Sequence, residues 1–154
     1  MPLNELISDR AIIPALKVSS KKAALQELAE KAATLCGLPA REIFDSMLQR
    51  ERLGSTGVGN GIAIPHGKLA HVDRIFGVFA RLDRPIDFDA QDGAPVDLIF
   101  MLIAPESAGA DHLKALARIA RLLRDPAFTA RLRATKDPAA LYLMLTQAPT
   151  SHAA

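Results

Sequence analysis

The stretch Gly54-Ser55-Thr56-Gly57-Val58-Gly59-Asn60-Gly61-Ile62-Ala63-Ile64-Pro65-His66-Gly67-Lys68 decides how the chain is read. Five of the chain's nine glycines fall between Gly54 and Gly67. Glycine tolerates positive φ and lets other groups approach the backbone, at an entropic cost, so such a cluster indicates a main chain shaped for a purpose. Ser55, Thr56 and Asn60 add hydroxyl and amide groups. The short apolar run Ile62-Ala63-Ile64 stops at Pro65, and His66 follows at once. This pattern predicts a strand that carries a histidine to the rim of a sheet, beside a hollow sized for a small anion.

Two phosphate-binding loops are excluded by spacing. A Walker loop needs four residues before its Gly-Lys pair and Ser or Thr after it; here Gly61 and Gly67 are separated by five residues and Leu69 follows Lys68. A dinucleotide fingerprint needs G-x-G-x-x-G between a strand and a helix. Gly57 and Gly59 fit its first half, but Ile62 takes the third glycine's place, and the order of elements is helix then strand.

The segment from Arg50-Glu51-Arg52-Leu53 through Gly54–Lys68 closely resembles the active-site segment of the type-2 IIA proteins of the bacterial phosphoenolpyruvate-dependent phosphotransferase system. This family includes the mannitol and fructose IIA modules and the nitrogen-regulatory IIA. Gly-Ser-Thr-Gly-Val-Gly-Asn-Gly is most similar to the nitrogen-regulatory branch. The resemblance implies that His66 carries a phosphoryl group, with Nε2 as the favoured ring nitrogen. It also implies a second active-site histidine, His112, and an arginine serving the site, Arg50.

The residues themselves support this chemistry. A histidine is largely unprotonated near neutral pH, and its free ring nitrogen is a nucleophile. Phosphoryl transfer needs in-line placement and donors for the equatorial oxygens. Backbone N–H groups of Gly57, Gly59 and Asn60, with the Ser55 and Thr56 hydroxyls, are the expected phosphate-binding donors. His112 follows Asp111 at an expected helix start, where an anion is favoured. The Arg50 fork suits phosphate oxygens. The blander alternatives are a strand-capping His66, an exposed or capping His112 and a solvated Arg50 at a helix end; Arg52 shares both readings.

At 154 residues the chain fits one domain, expected over residues 1–148, with a loose tail at 149–154. Hydrophobic residues make up 49% and aromatics 5%, so the core is aliphatic. A net charge of +2 gives no argument for nucleic-acid binding. Charge is uneven: residues 73–97 hold six acids and three bases, and residues 111–136 hold seven bases and two acids. The stripe Lys114, Arg118, Arg121 and Arg124 reads as a solvated helix face, or as a protein contact. Cys36 is the only cysteine, so no internal disulfide forms, and a buried thiol is expected. His66 and His71 lack companions for a metal site, so no metal and no cofactor are expected. Without a signal sequence or a spanning run, the chain is expected in the cytoplasm, with no membrane insertion.

Element by element, Leu3–Ile7 reads as a helical turn, and Ala11–Leu16 as a strand placed at an edge or bulge by Pro14. Two helices follow; the first is capped by Ser19 or Ser20 and stopped by Gly37 and Pro39. Strands are expected at Ile75–Leu82 and Val96–Ile103, with Arg84–Pro95 a polar connection over Phe88. The next helix is expected to bury Leu113, Leu116, Ala117, Ala120 and Leu123. Asp125-Pro126 and Asp137-Pro138 start two more. The order strand, two helices, three strands, three helices predicts an α/β fold, a three-layer α/β/α sandwich around a mixed sheet. The functional expectation is a phosphoryl carrier, taking its group from a histidine-phosphorylated HPr-like protein and acting on regulatory targets such as transporters or kinases. The alternatives are a sugar-permease IIA passing the group to a IIB domain, and a non-covalent anion- or metabolite-binding module.

Overall fold

The computed structural model describes residues 2–147; the expected tail at 149–154 lies outside them. Strand β1 (Ile12–Leu16) leads into helices α1 (Lys21–Cys36) and α2 (Ala40–Arg52). Three short strands follow, β2 (Gly57–Gly59), β3 (Ile62–Ala63) and β4 (His66–Leu69), then the long β5 (Phe76–Ile86) and β6 (Val96–Pro105). Helices α3 (Ala110–Leu122), α4 (Pro126–Arg133) and α5 (Pro138–Thr146) complete the described chain.

Local chemistry explains the boundaries. Ser20 Oγ accepts from Ala23 N–H at 3.1 Å and starts α1; Gly37, at φ 77°, ends it. Asp125 and Asp137 cap α4 and α5 through their carboxylates, each with proline in the first turn.

The sheet is mixed, with order β1-β5-β6-β3-β2, and β4 also pairs with β6. Pro14 sits in β1, an edge strand whose register shifts between Ile13 and Leu16, as a residue without an N–H requires. In β6, Val96 and Leu98 through Ala104 are fully buried on both faces, so β6 is the spine between the helical layers.

The structure departs from expectation in four places. The glycine-rich stretch forms three short strands rather than one. The strand β5 runs on to Ile86, across a register shift between Arg81 and Ile86; Pro85 falls within this irregularity, so residues 84–86 are strand and the connection starts at Asp87. Helix α3 is rotated relative to the leucine pattern: it buries His112, Ala115, Ile119 and Leu123, while Leu113 is 66% exposed and Ala117 is also exposed. His112 occupies a core-facing position, and Ala115 and Ile119 follow it three and seven residues on, so the helix turns the neighbouring leucine outward. That rotation leaves Lys114, Arg121 and Arg124 in solvent and half-buries Arg118. Cys36 is half-buried rather than buried.

Candidate phosphohistidine site

Strands β3 and β4 are two halves of one line along β6. Ile62 lies opposite Leu98 and Ala63 opposite Ile99. After Ile64-Pro65 the pairing resumes without slipping, with His66 opposite Leu102. Pro65 has no N–H to give the ladder, but its carbonyl accepts from Leu102 N–H at 2.9 Å. His66 is therefore held by sheet hydrogen bonds directly after a break in the strand.

The break supplies a partner for the ring. His66 Nδ1 lies 2.8 Å from the Ile64 carbonyl oxygen. A carbonyl only accepts, so Nδ1 carries the proton and Nε2 keeps its lone pair. Arg50 Nε–H, from the last turn of α2, points at that lone pair at 3.3 Å. Arg50 Nη1 also donates to the Gly54 carbonyl at 2.8 Å, which fixes the guanidinium. Burial pushes the His66 pKa below its ordinary value and the Arg50 charge adds to this, opposed by the Ile64 carbonyl and Glu51. The neutral imidazole is thus the favoured form near pH 7.

His112, in the first turn of α3, faces His66 with ring centroids 5.5 Å apart and planes tilted by 54°. It is 6% exposed. Its pKa is also pushed down, first by burial and then by the charges of His66 and Lys68. A shallow hollow is lined by Ser46, Gln49, Arg50, Leu53, His66, Gly67, Lys68 and His112. The structure thus brings together His66, His112 and Arg50 from three separate elements.

Most of the expected donors in the glycine stretch are engaged elsewhere. Ser55 Oγ donates to the Phe88 carbonyl at 2.6 Å and accepts from Gly57 N–H at 3.0 Å. Thr56 is buried, with its N–H and hydroxyl both on the Glu51 carboxylate. Asn60 N–H donates to Asp92 at 2.9 Å, and the Asn60 carbonyl accepts from Arg133 at 2.7 Å. A Cβ on Gly59 would meet the Asp92 carboxylate at 3.3 Å, and one on Gly57 would meet Ala90 at 2.8 Å. The glycines let the segment around Phe88–Asp92 pack against this backbone. The Ser55 and Thr56 hydroxyls and the N–H groups of Thr56, Gly57 and Asn60 therefore serve the scaffold of the site, and Gly59 makes room for Asp92.

Sequence reasoning missed Lys68 and Glu51. Lys68 borders the hollow and acts on His112. Glu51 is a buried acid whose sequence signal was its phase: it falls four residues after Met47 and eight after Ile43, on the buried stripe of α2.

Residues 5–148 match the family profile described as phosphoenolpyruvate-dependent sugar phosphotransferase system, EIIA 2. The chain belongs to this family. A nitrogen regulatory protein from Bradyrhizobium diazoefficiens is 61% identical over 153 residues, covering 99% of this chain and all of the relative. One from Escherichia coli is 47% identical over 128 residues, covering 82% and 78%. The crystal structure of nitrogen regulatory protein IIA-Ntr from Neisseria meningitidis superposes with a TM-score of 0.88 at 35% identity, covering 93% of this chain and 98% of that one. Among the described residues there is no group of three or more His, Cys, Asp or Glu placed to hold a metal. No described helix is long and apolar enough to cross a membrane.

Proposed function

We propose that this chain is a histidine phosphoryl carrier of the phosphotransferase system, that His66 Nε2 is the acceptor, and that it serves as a nitrogen-regulatory IIA. The observation that carries the reading is the tautomer: the Ile64 carbonyl holds the proton on Nδ1, so the lone pair of Nε2 faces the hollow between Arg50 and His112. The donor is a phosphohistidine on an HPr-like protein. The Nε2 lone pair attacks phosphorus, the donor's N–P bond breaks, and its electron pair returns to the donor imidazole. The proton stays on His66 Nδ1, hydrogen-bonded to the Ile64 carbonyl, and Arg50 moves from Nε2 to the phosphoryl oxygens. His112 steadies the group and is not the acceptor. Leu53, 85% exposed, lines the hollow, and Leu113, 66% exposed, adjoins His112; both offer apolar contact to the donor protein. Residues 1–148 act in this as one domain. The regulatory role rests on full-length similarity to a nitrogen regulatory protein.

The test is incubation with a phosphorylated HPr-like carrier, followed by mass spectrometry at alkaline pH, where a phosphohistidine survives. The adduct is expected on His66, acid-labile, and absent from a folded His66→Ala protein. Uptake that persists in that variant, or an adduct on His112 in the unaltered chain, overturns the assignment.

A further inference from the structure

Glu51 is 8% exposed and sits in the last turn of α2, where the helix dipole disfavours an anion. A buried carboxylate in such a place needs donors of its own. It has three. Thr56 N–H donates to Oε1 at 3.0 Å, the Thr56 hydroxyl donates to Oε2, and Lys21 Nζ from α1 lies 2.9 Å from Oε1. The residue touches neither ring nitrogen of His66, and transfer chemistry gives it no task. Yet two hydrogen-bonded paths, one from its carboxylate through Thr56 and one from its own carbonyl, lead to those nitrogens.

We infer that Glu51 is a positioning residue for His66, acting through two hydrogen-bonded arms that close on opposite nitrogens of the imidazole. The inference rests on the carrier reading above. The first arm runs from the Glu51 carboxylate to Thr56 N–H, from the Thr56 carbonyl to Ile64 N–H at 3.0 Å, and from the Ile64 carbonyl to His66 Nδ1–H at 2.8 Å. The second begins at the Glu51 carbonyl, which accepts from Gly54 N–H at 3.1 Å; the Gly54 carbonyl then accepts from Arg50 Nη1, whose Nε–H meets His66 Nε2. The carboxylate cross-links residue 51 to residue 56 and so closes the turn from which Gly54 presents its carbonyl. Gly54 adopts φ 143°, which a side chain would resist. Lys21 ties the assembly to α1 and, at 3.8 Å, to Asp89 in the segment packed on the glycine stretch.

The functional consequence is control of the tautomer. Which imidazole nitrogen carries the proton is set by the bond that the other makes. If Thr56 shifts, Ile64 shifts with it, and the Nδ1–H bond weakens. If the 51–56 turn opens, Arg50 loses its anchor. Both changes move the ring away from having a lone pair on Nε2.

The experiment reads the tautomer directly from the ¹⁵N shifts of the His66 ring, without any donor protein. The unaltered chain is expected to show the Nδ1–H form. Glu51→Ala is expected to show a mixture of tautomers and about five- to tenfold slower phosphoryl uptake, the effect of one weakened hydrogen bond. Glu51→Gln keeps an oxygen for Thr56 N–H and should recover much of the Nδ1–H form. Thr56→Val removes only the hydroxyl link, keeps the side-chain volume and should lie between; it decides the matter if Glu51→Ala does not fold. Tautomer ratios equal to the unaltered chain in every folded variant, even with a lower melting temperature, would show a purely structural role and overturn the inference. If the unaltered chain takes up no phosphoryl group, the carrier reading falls, and the tautomer measurement still decides the role of Glu51.

Discussion

Replacing Arg50 by lysine keeps the charge and removes the fork. In the structure two different nitrogens of Arg50 work at once: Nε–H on His66 Nε2 at 3.3 Å, and Nη1–H on the Gly54 carbonyl at 2.8 Å. A lysine carries all its donors on one nitrogen and cannot reproduce that planar, two-point hold. During transfer the variant therefore lacks either the anchor or the contact to the phosphoryl oxygens. A hydrogen bond to a charged group contributes about 1.5–3 kcal/mol. Arg50 is half-buried, so solvent screening favours the lower end. At about 1.4 kcal/mol per tenfold change, the expected loss is one order of magnitude, approaching two for Arg50→Ala. The assay is single-turnover transfer from a phosphorylated HPr-like carrier, with donor concentration varied to separate the limiting rate from donor affinity. The limiting rate is expected to fall. In Arg50→Ala the His66 pKa, followed by NMR, is expected to rise, because a neighbouring positive charge that lowers it has gone. An unchanged limiting rate in folded Arg50→Lys would refute the two-point argument, and a change confined to donor affinity would place Arg50 in docking.

The histidines set a pH dependence of stability. Both His66 and His112 have folded pKa values below the ordinary 6.5. Between the folded value and 6.5 the unfolded chain binds more protons, so stability is retained above pH 6.5 and declines as pH falls through and below it. Urea midpoints at pH 7.5 and 5.5 should differ in that direction, and the difference should shrink in a His66→Gln, His112→Gln double variant; an equal difference in both proteins would contradict the assignment. Gly77→Ala probes the core apart from the site. Its Cβ would collide with the Phe100 ring and lie 3.1 Å from the Met101 carbonyl. Overpacking of this kind costs about 1–3 kcal/mol, lowering the melting temperature by about 2–4 °C per kcal/mol, while uptake per folded molecule should persist. Calorimetry and an uptake assay together check it.

The layers of the fold were legible because each rests on local chemistry. Ser20, Gly37, Asp125-Pro126 and Asp137-Pro138 mark helix ends by capping and by restricted φ. Pro14 marks an edge, and the apolar run of β6 marks a strand covered on both faces. What was not legible depends on partners distant in sequence. Counting leucines in α3 selects a stripe one residue from the true one, because a buried histidine takes the inward position. The donors of the glycine stretch could be enumerated, but not that Phe88, Asp92 and Glu51 would occupy them. His66 and Arg50 were visible as a motif; that the Ile64 carbonyl fixes the ring's proton follows only from the break in the strand at Pro65.

The charges around the hollow bear on how a phosphoryl group would be read by a partner. Arg50 and Lys68 line it as cations, while His66 and His112 are favoured neutral by their surroundings. Glu51 lies behind them, its charge already matched by Lys21. The resting surface is thus a positive hollow with exposed Leu53 in its lining and Leu113 beside His112. On the proposed reading, the group on Nε2 carries close to two negative charges, by analogy with other phosphorylated side chains, while the ring, keeping its proton on Nδ1, gains one positive charge, for a net change of about one negative charge. It therefore makes the hollow less positive rather than acidic. The two forms would then differ chiefly by a weakened positive field between unchanged apolar contacts. A partner that relies on acidic groups loses part of its attraction, and one that relies on Leu53 and Leu113 alone does not. The same residues that stabilise the group on His66 in this way set the contrast between the two states.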